Sequence, residues 1–422
     1  MSIYDELLGD IPIPPVFRIS QSFPRNSIAD VEKELIQKLK EGRFLNKIKK
    51  DWRVAITAGS RGISNQPLIV KRLVQEIKNV GGDPFIVAAM GSHGGATAEG
   101  QKELLLRMGF LQQYIQAPVH SCMETVVVGK TDRGLPVYID KHAFEADAIV
   151  VLNRIKPHVS FRGRFESGLM KMIAIGLGKQ KGAEACHAMG FDSMGENIES
   201  VAYIGLQQCN IIFGIGLLEN AYHETCAIEI MEPEEIPIRE VKLLSRAKAL
   251  LPRLYFDTLD VLIIDEFGKN ISGTGMDNNL VGRYTTSSPT GGPKITRIAV
   301  LSLTSETHGN ANGLGIVDFI TKRVLDAFDF EQTYPNALTS TAAASVKIPM
   351  VLQNDRLAIQ SAVKTCNRLD VGKVTLVRIK NTLQLDEIEV SANLLPLVKQ
   401  NQNMDVIDGP YALKFDERGN LF

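Results

Sequence analysis

Between residues 53 and 152 the chain repeats one pattern: a short β-branched, apolar run, a loop rich in small residues, then apolar residues at helical spacing. Residues 53–57 (RVAIT) predict a strand, and residues 66–80 a helix through Leu68, Ile69, Leu73 and Ile77. Residues 84–89 (PFIVAA) predict a second strand and residues 98–108 a second helix. Residues 146–152 (ADAIVVL) are apolar without alternation, as strands covered on both faces are. The stretch from 124 to 140 predicts two strands around a turn at 131–134. This strand–helix–strand rhythm predicts a doubly wound α/β sheet.

A second series opens with residues 259–265 (LDVLIID) and 295–301 (ITRIAVL), followed by a helix at 315–328 and a strand at 374–379. The charged residues 232–252 between the two series predict an interdomain connector with one helical stretch. A single hydrophobic core stops growing near ~250–300 residues. A chain of 422 is therefore expected to form two α/β domains, 1–256 and 257–422, with the active site in a cleft between them.

Charge narrows the partners. Lys and Arg number 47 against 48 Asp and Glu, a net charge of −1, which gives no electrostatic case for nucleic acid or an anionic membrane. No apolar stretch approaches the ~20 residues of a membrane span, and the first fifteen residues lack the basic and apolar regions of a secretory signal. Five scattered cysteines without CxxC spacing read as reduced thiols. A cytoplasmic protein is expected.

In open α/β sheets, ligands sit beyond the carboxyl ends of the strands. Four such ends carry Arg61, His93, His158 and Lys269 in loops of small residues. The glycine-rich loop 91–95 before a helix can bring free N–H groups to an anion, and reads equally as a flexible connection. Two of only seven histidines, His93 and His158, fall at strand ends, where an imidazole can move a proton near neutral pH. Lys171 lies inside the apolar run LMKMIAIGLG, so it must snorkel, pair with a carboxylate such as Glu166, or be chemically used. Sixteen residues on, Cys186-His187 offers donors to a metal, but two are too few for a dedicated protein site.

The ordered motifs GSRG, MGSHGGAT, KPH, LMK and CHAMG resemble those of the nickel-pincer lactate racemase family of 2-hydroxyacid racemases and epimerases. The resemblance implies Lys171 as the attachment point of a nickel-pincer nucleotide and His187 as the protein ligand to nickel. It implies His93 and His158 as acid and base, with Ser92, Gly94 and Gly95 beside the cofactor. Arg61 and Lys269 would hold the substrate carboxylate. The C2 hydride would pass reversibly to the cofactor while a histidine takes the hydroxyl proton. Cofactor-synthesis and nickel-insertion proteins are the implied partners. Where the lactate racemase subgroup has Asp-x-Thr-Arg-Pro, this chain has Ala58-Gly59-Ser60-Arg61-Gly62, and its segment from His158 to Lys171 is about three residues longer. A member outside that subgroup is expected, acting on another 2-hydroxy acid, and the Asn- and Gly-rich residues 270–283 and 304–315, with His308, would suit a sugar acid or serve as turns. Two rival readings are a two-lobed organic-anion-binding protein and a zinc-dependent hydrolase or lyase built on His93, His158, His187 and Cys186.

Overall fold

In the computed structural model, which describes residues 3–287 and 289–422, the chain forms two compact units. One comprises Pro24–Leu251; the other joins the residues up to Phe23 to Pro252–Phe422. The division falls between Leu251 and Pro252, and the N-terminal strand belongs with the C-terminal part of the chain.

The Pro24–Leu251 unit is built on a six-stranded sheet. Its order is Val119–His120, Asp83–Ala88, Arg53–Ala58, Ala148–Arg154, Ile211–Glu219 and Thr225–Met231. All neighbours are parallel except the last pair. Alternate residues serve opposite faces. Val54, Ile56, Val150 and Leu152 pack under the helices Val31–Glu41 and Gln66–Asn79. Ala55, Ile149 and Val151 pack against Met170, Ile173, Ile198 and Leu244 on the other side. Burial on both faces explains why these strands lack a polar alternation. The turn at 131–134 joins Thr125–Lys130 to Pro136–Asp140 in an antiparallel hairpin outside this sheet.

Residues 232–252 are not a connector. They carry the helix Ile236–Leu250, whose Ile236, Leu243, Leu244 and Ala247 are buried in the sheet's own core. Its charges conceal an amphipathic stripe that only the packing reveals.

The other unit holds an eight-stranded sheet. Met350–Leu352, Phe319–Thr321, Lys294–Leu303, Thr258–Phe267 and Leu376–Ile379 run parallel. Glu387–Ser391, Val16–Gln21 and Met404–Tyr411 continue it antiparallel. The single helix expected at 315–328 is absent: Phe319–Thr321 is a buried strand, and the Thr321 hydroxyl caps the short helix Lys322–Asp326 by accepting from the Val324 N–H. A short apolar run does not by itself distinguish a buried strand from a helix. Among the described residues, no helix is long and apolar enough to cross a membrane.

Candidate active site

Strand order in the Pro24–Leu251 unit reverses between Arg53–Ala58 and Ala148–Arg154, the position where open α/β sheets form a ligand crevice. Main-chain pairing of these two strands runs from Val54/Ala148 to Ile56/Val150. Beyond it the Thr57 hydroxyl bridges the Leu152 main chain, donating to its carbonyl and accepting from its N–H. The loops carrying Ser60, Arg61, Lys156 and His158 leave from here.

The neighbouring strand Asp83–Ala88 delivers His93. Ser60 Oγ lies 2.5 Å from His93 Nδ1. The Gln101 amide donates to the carbonyls of Gly91 and His93, at 2.8 and 3.1 Å. Gly94 has φ +66, and a Cβ there would stand 2.7 Å from the Gln101 main-chain nitrogen, so glycine is required at this contact. Gly95 also has positive φ and faces open space, and Ser92 is partly buried in the same loop. The helix Ala98–Arg107 begins with its own cap, Thr97 Oγ1 accepting from Gly100 N–H at 3.0 Å.

Lys171 ends the short helix Leu169–Lys171, a π-helical turn Met172–Gly176 follows, and the helix Lys179–His187 carries the histidine on its last residue. Glu240 fixes the start of this segment: its Oε2 accepts from the N–H groups of Leu169 and Met170, at 2.9 and 3.0 Å. Burial, then the charges of Arg61 and Lys156, lower the Lys171 amine to about 7. Glu166 is not its partner: that buried carboxylate takes Lys248 at 2.6 Å and the His158 N–H at 2.8 Å. Among the described residues Lys171 has no hydrogen-bond or ion-pair partner. Burial, then the Lys171 charge, lowers the His187 imidazole to about 4. Its Nδ1 is buried without a hydrogen-bond partner among the described residues, and the Phe191 ring meets the imidazole edge-on with centroids 5.2 Å apart. Cys186 is fully buried and its thiol is pushed up to about 12 by burial, which leaves it protonated.

His158 stacks on Phe161 with ring centroids 4.3 Å apart. Its Nδ1 accepts from the Ser160 N–H at 3.1 Å, which places the proton of the neutral ring on Nε2. Burial first, then the charges of Lys171 and Lys156, hold the ring well below its ordinary range. Arg61 makes only a 3.2 Å contact to the Ser60 carbonyl; burial and the Arg154 charge lower it to about 10, while Arg154 itself pairs with Glu219. Arg61, Lys156 and Lys171 thus gather positive charge at one site, where Arg61 and Lys171 lack a carboxylate partner among the described residues.

Mutual electrostatic influence links Lys171 with Arg61, Lys156, His158 and His187, and Ser60 ties His93 to the Arg61 loop. Lys269 belongs to the other unit, where its N–H donates to Thr307 Oγ1 at 2.9 Å and its Nζ to Asn336 Oδ1. The polar side chains around it are largely used internally. Thr304 donates to Asn270, Asn310 to the Gln332 carbonyl, Ser345 to Asn312, and His308 sits in a left-handed turn. Ser60, Lys156, Gln101 and Glu240 were not singled out from sequence. The first two lie within strand-end motifs and were open to notice; the last two join the site only through tertiary packing.

The donor set suits a pincer-type group. His187 presents an imidazole nitrogen without a partner among the described residues, and Lys171 an amine that is nucleophilic near neutral pH. Among the described residues no three His, Cys, Asp or Glu side chains come together as metal ligands. A metal on His187 therefore needs its other donors from a non-protein ligand.

Residues 20–199 match the family model described as the lactate racemase N-terminal domain. No curated protein matches the chain. Among solved structures, the lactate racemase apoprotein from Thermoanaerobacterium thermosaccharolyticum is similar at 12% identity and a TM-score of 0.46, over 83% of this chain and 86% of that one. Residues 20–199, which hold Arg61, His93, His158, Lys171 and His187, are thus similar to the N-terminal domain of lactate racemases.

Proposed function

We propose that the protein is a nickel-dependent racemase or epimerase of a 2-hydroxy acid other than lactate. The observation that carries this is the pairing of a depressed lysine amine with a buried imidazole nitrogen, both without a partner among the described residues, beside the Arg61 guanidinium. An organic-anion-binding protein would use the charge but not the lysine or the orphan nitrogen. A zinc enzyme would need more protein ligands than gather here.

Lys171 would hold a nickel-pincer nucleotide covalently and His187 would ligate its nickel, with Ser92, Gly94 and Gly95 lining the approach. When bound, that group supplies the electron sink for C2 chemistry that side chains lack. Arg61 would orient the substrate carboxylate by a planar fork. Ser60 can donate to or accept from His93 Nδ1, so that ring can carry its proton on either nitrogen, and we assign it the first removal of the hydroxyl proton. His158 presents an Nε2–H to the substrate oxygen on the opposite side and takes up a proton when Nδ1 is released from Ser160. Ala58 stands where the lactate subgroup has an acidic residue, which favours a different substituent on C2. The protein is expected to work in the cytoplasm and to depend on cofactor-synthesis and nickel-insertion proteins.

The test is mass analysis of the Lys171 peptide with nickel content, on protein from a host that makes the cofactor, followed by epimerisation of a panel of 2-hydroxy acids. An adduct on Lys171, about one nickel per chain, and loss of nickel in His187→Ala are expected. An unmodified Lys171 with a working control, or full nickel in His187→Ala, overturns the assignment.

A further inference from the structure

Lys179 has two costly properties. Its side chain is fully buried, and its main chain sits at φ +55, a conformation non-glycine residues rarely adopt. It lies where the π-helical turn passes into the helix Lys179–His187. Its ammonium donates to the Ala88 carbonyl at 2.6 Å and to Gln101 Oε1, and lies 3.5 Å from Asp140 Oδ2. Ala88 ends the strand that delivers His93, and Gln101 is the residue whose amide grips the His93 loop.

We propose that Lys179 is a positioning residue for His93, acting through Gln101; the inference rests on the role assigned to His93 above. An ammonium has donors and no acceptor. Gln101 must therefore turn its amide oxygen toward Lys179 and its nitrogen the other way. That nitrogen is the group donating to the carbonyls of Gly91 and His93. With the amide reversed, an oxygen would face two carbonyl oxygens and an NH2 group would face the ammonium, so Lys179 leaves one orientation. Gln101 is itself fully buried, so a wrong choice would leave its polar atoms facing like groups inside the protein. Gly94 brings the loop directly onto the Gln101 main chain. The loop so fixed places the His93 ring where Ser60 Oγ reaches Nδ1. The order of support runs Asp140, Lys179, Gln101, His93, with Ser60 reporting on whether the ring has arrived.

The experiment uses the full chain with 15N-labelled histidine, without cofactor, and His93→Asn to identify the His93 signals. In Gln101→Met, which keeps the volume and removes the amide, the His93 Nδ1 signal should move to its value in Ser60→Ala, with the His158 and His187 signals in place. In the loaded protein the same variant should keep its nickel and lose about tenfold or more in kcat with little change in KM, the penalty of a misplaced group. Lys179→Met should do the same; if it fails to fold, because it strands Asp140, Gln101→Met decides alone. An unmoved His93 signal, an unchanged kcat, or equal movement of all histidine signals overturns the inference. If His93→Asn keeps full turnover, the catalytic role of His93 falls, while the His93 signal in Gln101→Met still decides the positioning.

Discussion

An ammonium at the ordinary lysine value of 10.5 is no nucleophile at neutral pH; the Lys171 amine, lowered to about 7, is one. The cause is burial first, with Arg61 and Lys156 adding repulsion. Acylation of Lys171 in the cofactor-free protein by a small activated ester should therefore rise between about pH 6 and 8 and level off above. Exposed lysines in the same digest should keep gaining reactivity toward about pH 10.5. Arg61→Met removes one of these two charges, so the plateau should begin at higher pH. Peptide mass analysis across a pH series reads both. A Lys171 profile identical to that of exposed lysines would show that the amine is not set apart by its surroundings.

At the scale of elements, the helix Ile236–Leu250 is the part of the site farthest from any motif. It contributes Glu240, nearly fully buried, to the N–H groups that open the Lys171 segment. A Cβ on Gly168 would stand 2.2 Å from Glu240 Oε1, which is why glycine precedes that segment. Burial raises the carboxyl from 4.5 to about 7, and the two N–H donors only partly oppose it. The folded protein thus holds this proton more tightly than the unfolded chain does. Its contribution is complete below pH 4.5 and is lost as pH rises through 7, on the order of 3 kcal/mol. Glu240→Gln should remove that slope, so the difference in urea stability between variant and parent should change from pH 4.5 to 8. Parallel curves would refute the assignment. Sequence reasoning reached the strands and the chemistry after them because local pattern determines both: a β-branched run, then Gly, Ser, Arg or His. It found the helical stretch within residues 232–252 but took the segment for a connector because a helix's charged exterior resembles a linker, and it misread 315–328 because a three-residue strand has no period to read. Gln101, Lys179 and Glu240 act through contacts tens of residues apart, and no local pattern encodes those.

For the whole molecule, the chain's order and its architecture disagree at one strand. Val16–Gln21 lies inside the eight-stranded sheet, between Glu387–Ser391 and Met404–Tyr411, with Val16 and Ile19 fully buried. Gln21 Nε2 also donates to the Leu385 carbonyl at 2.8 Å, and Tyr255 Oη to the Ser22 carbonyl at 2.8 Å. Removing the first 23 residues would leave two new sheet edges and an opened core, more than a margin of ~5–15 kcal/mol absorbs. The piece 252–422 alone should therefore fail to fold, and should recover when residues 1–23 are fused to it through a flexible linker. The piece 24–251 has its own sheet and both of its packed faces, and should fold alone with a cooperative transition. Circular dichroism and amide exchange on the three pieces measure this. A stable, well-protected 252–422 fragment would mean that the N-terminal strand only decorates the sheet. The expected failure would instead mean that the unit closes only once Glu387–Ser391 and Met404–Tyr411, hundreds of residues further along the chain, pair with this strand.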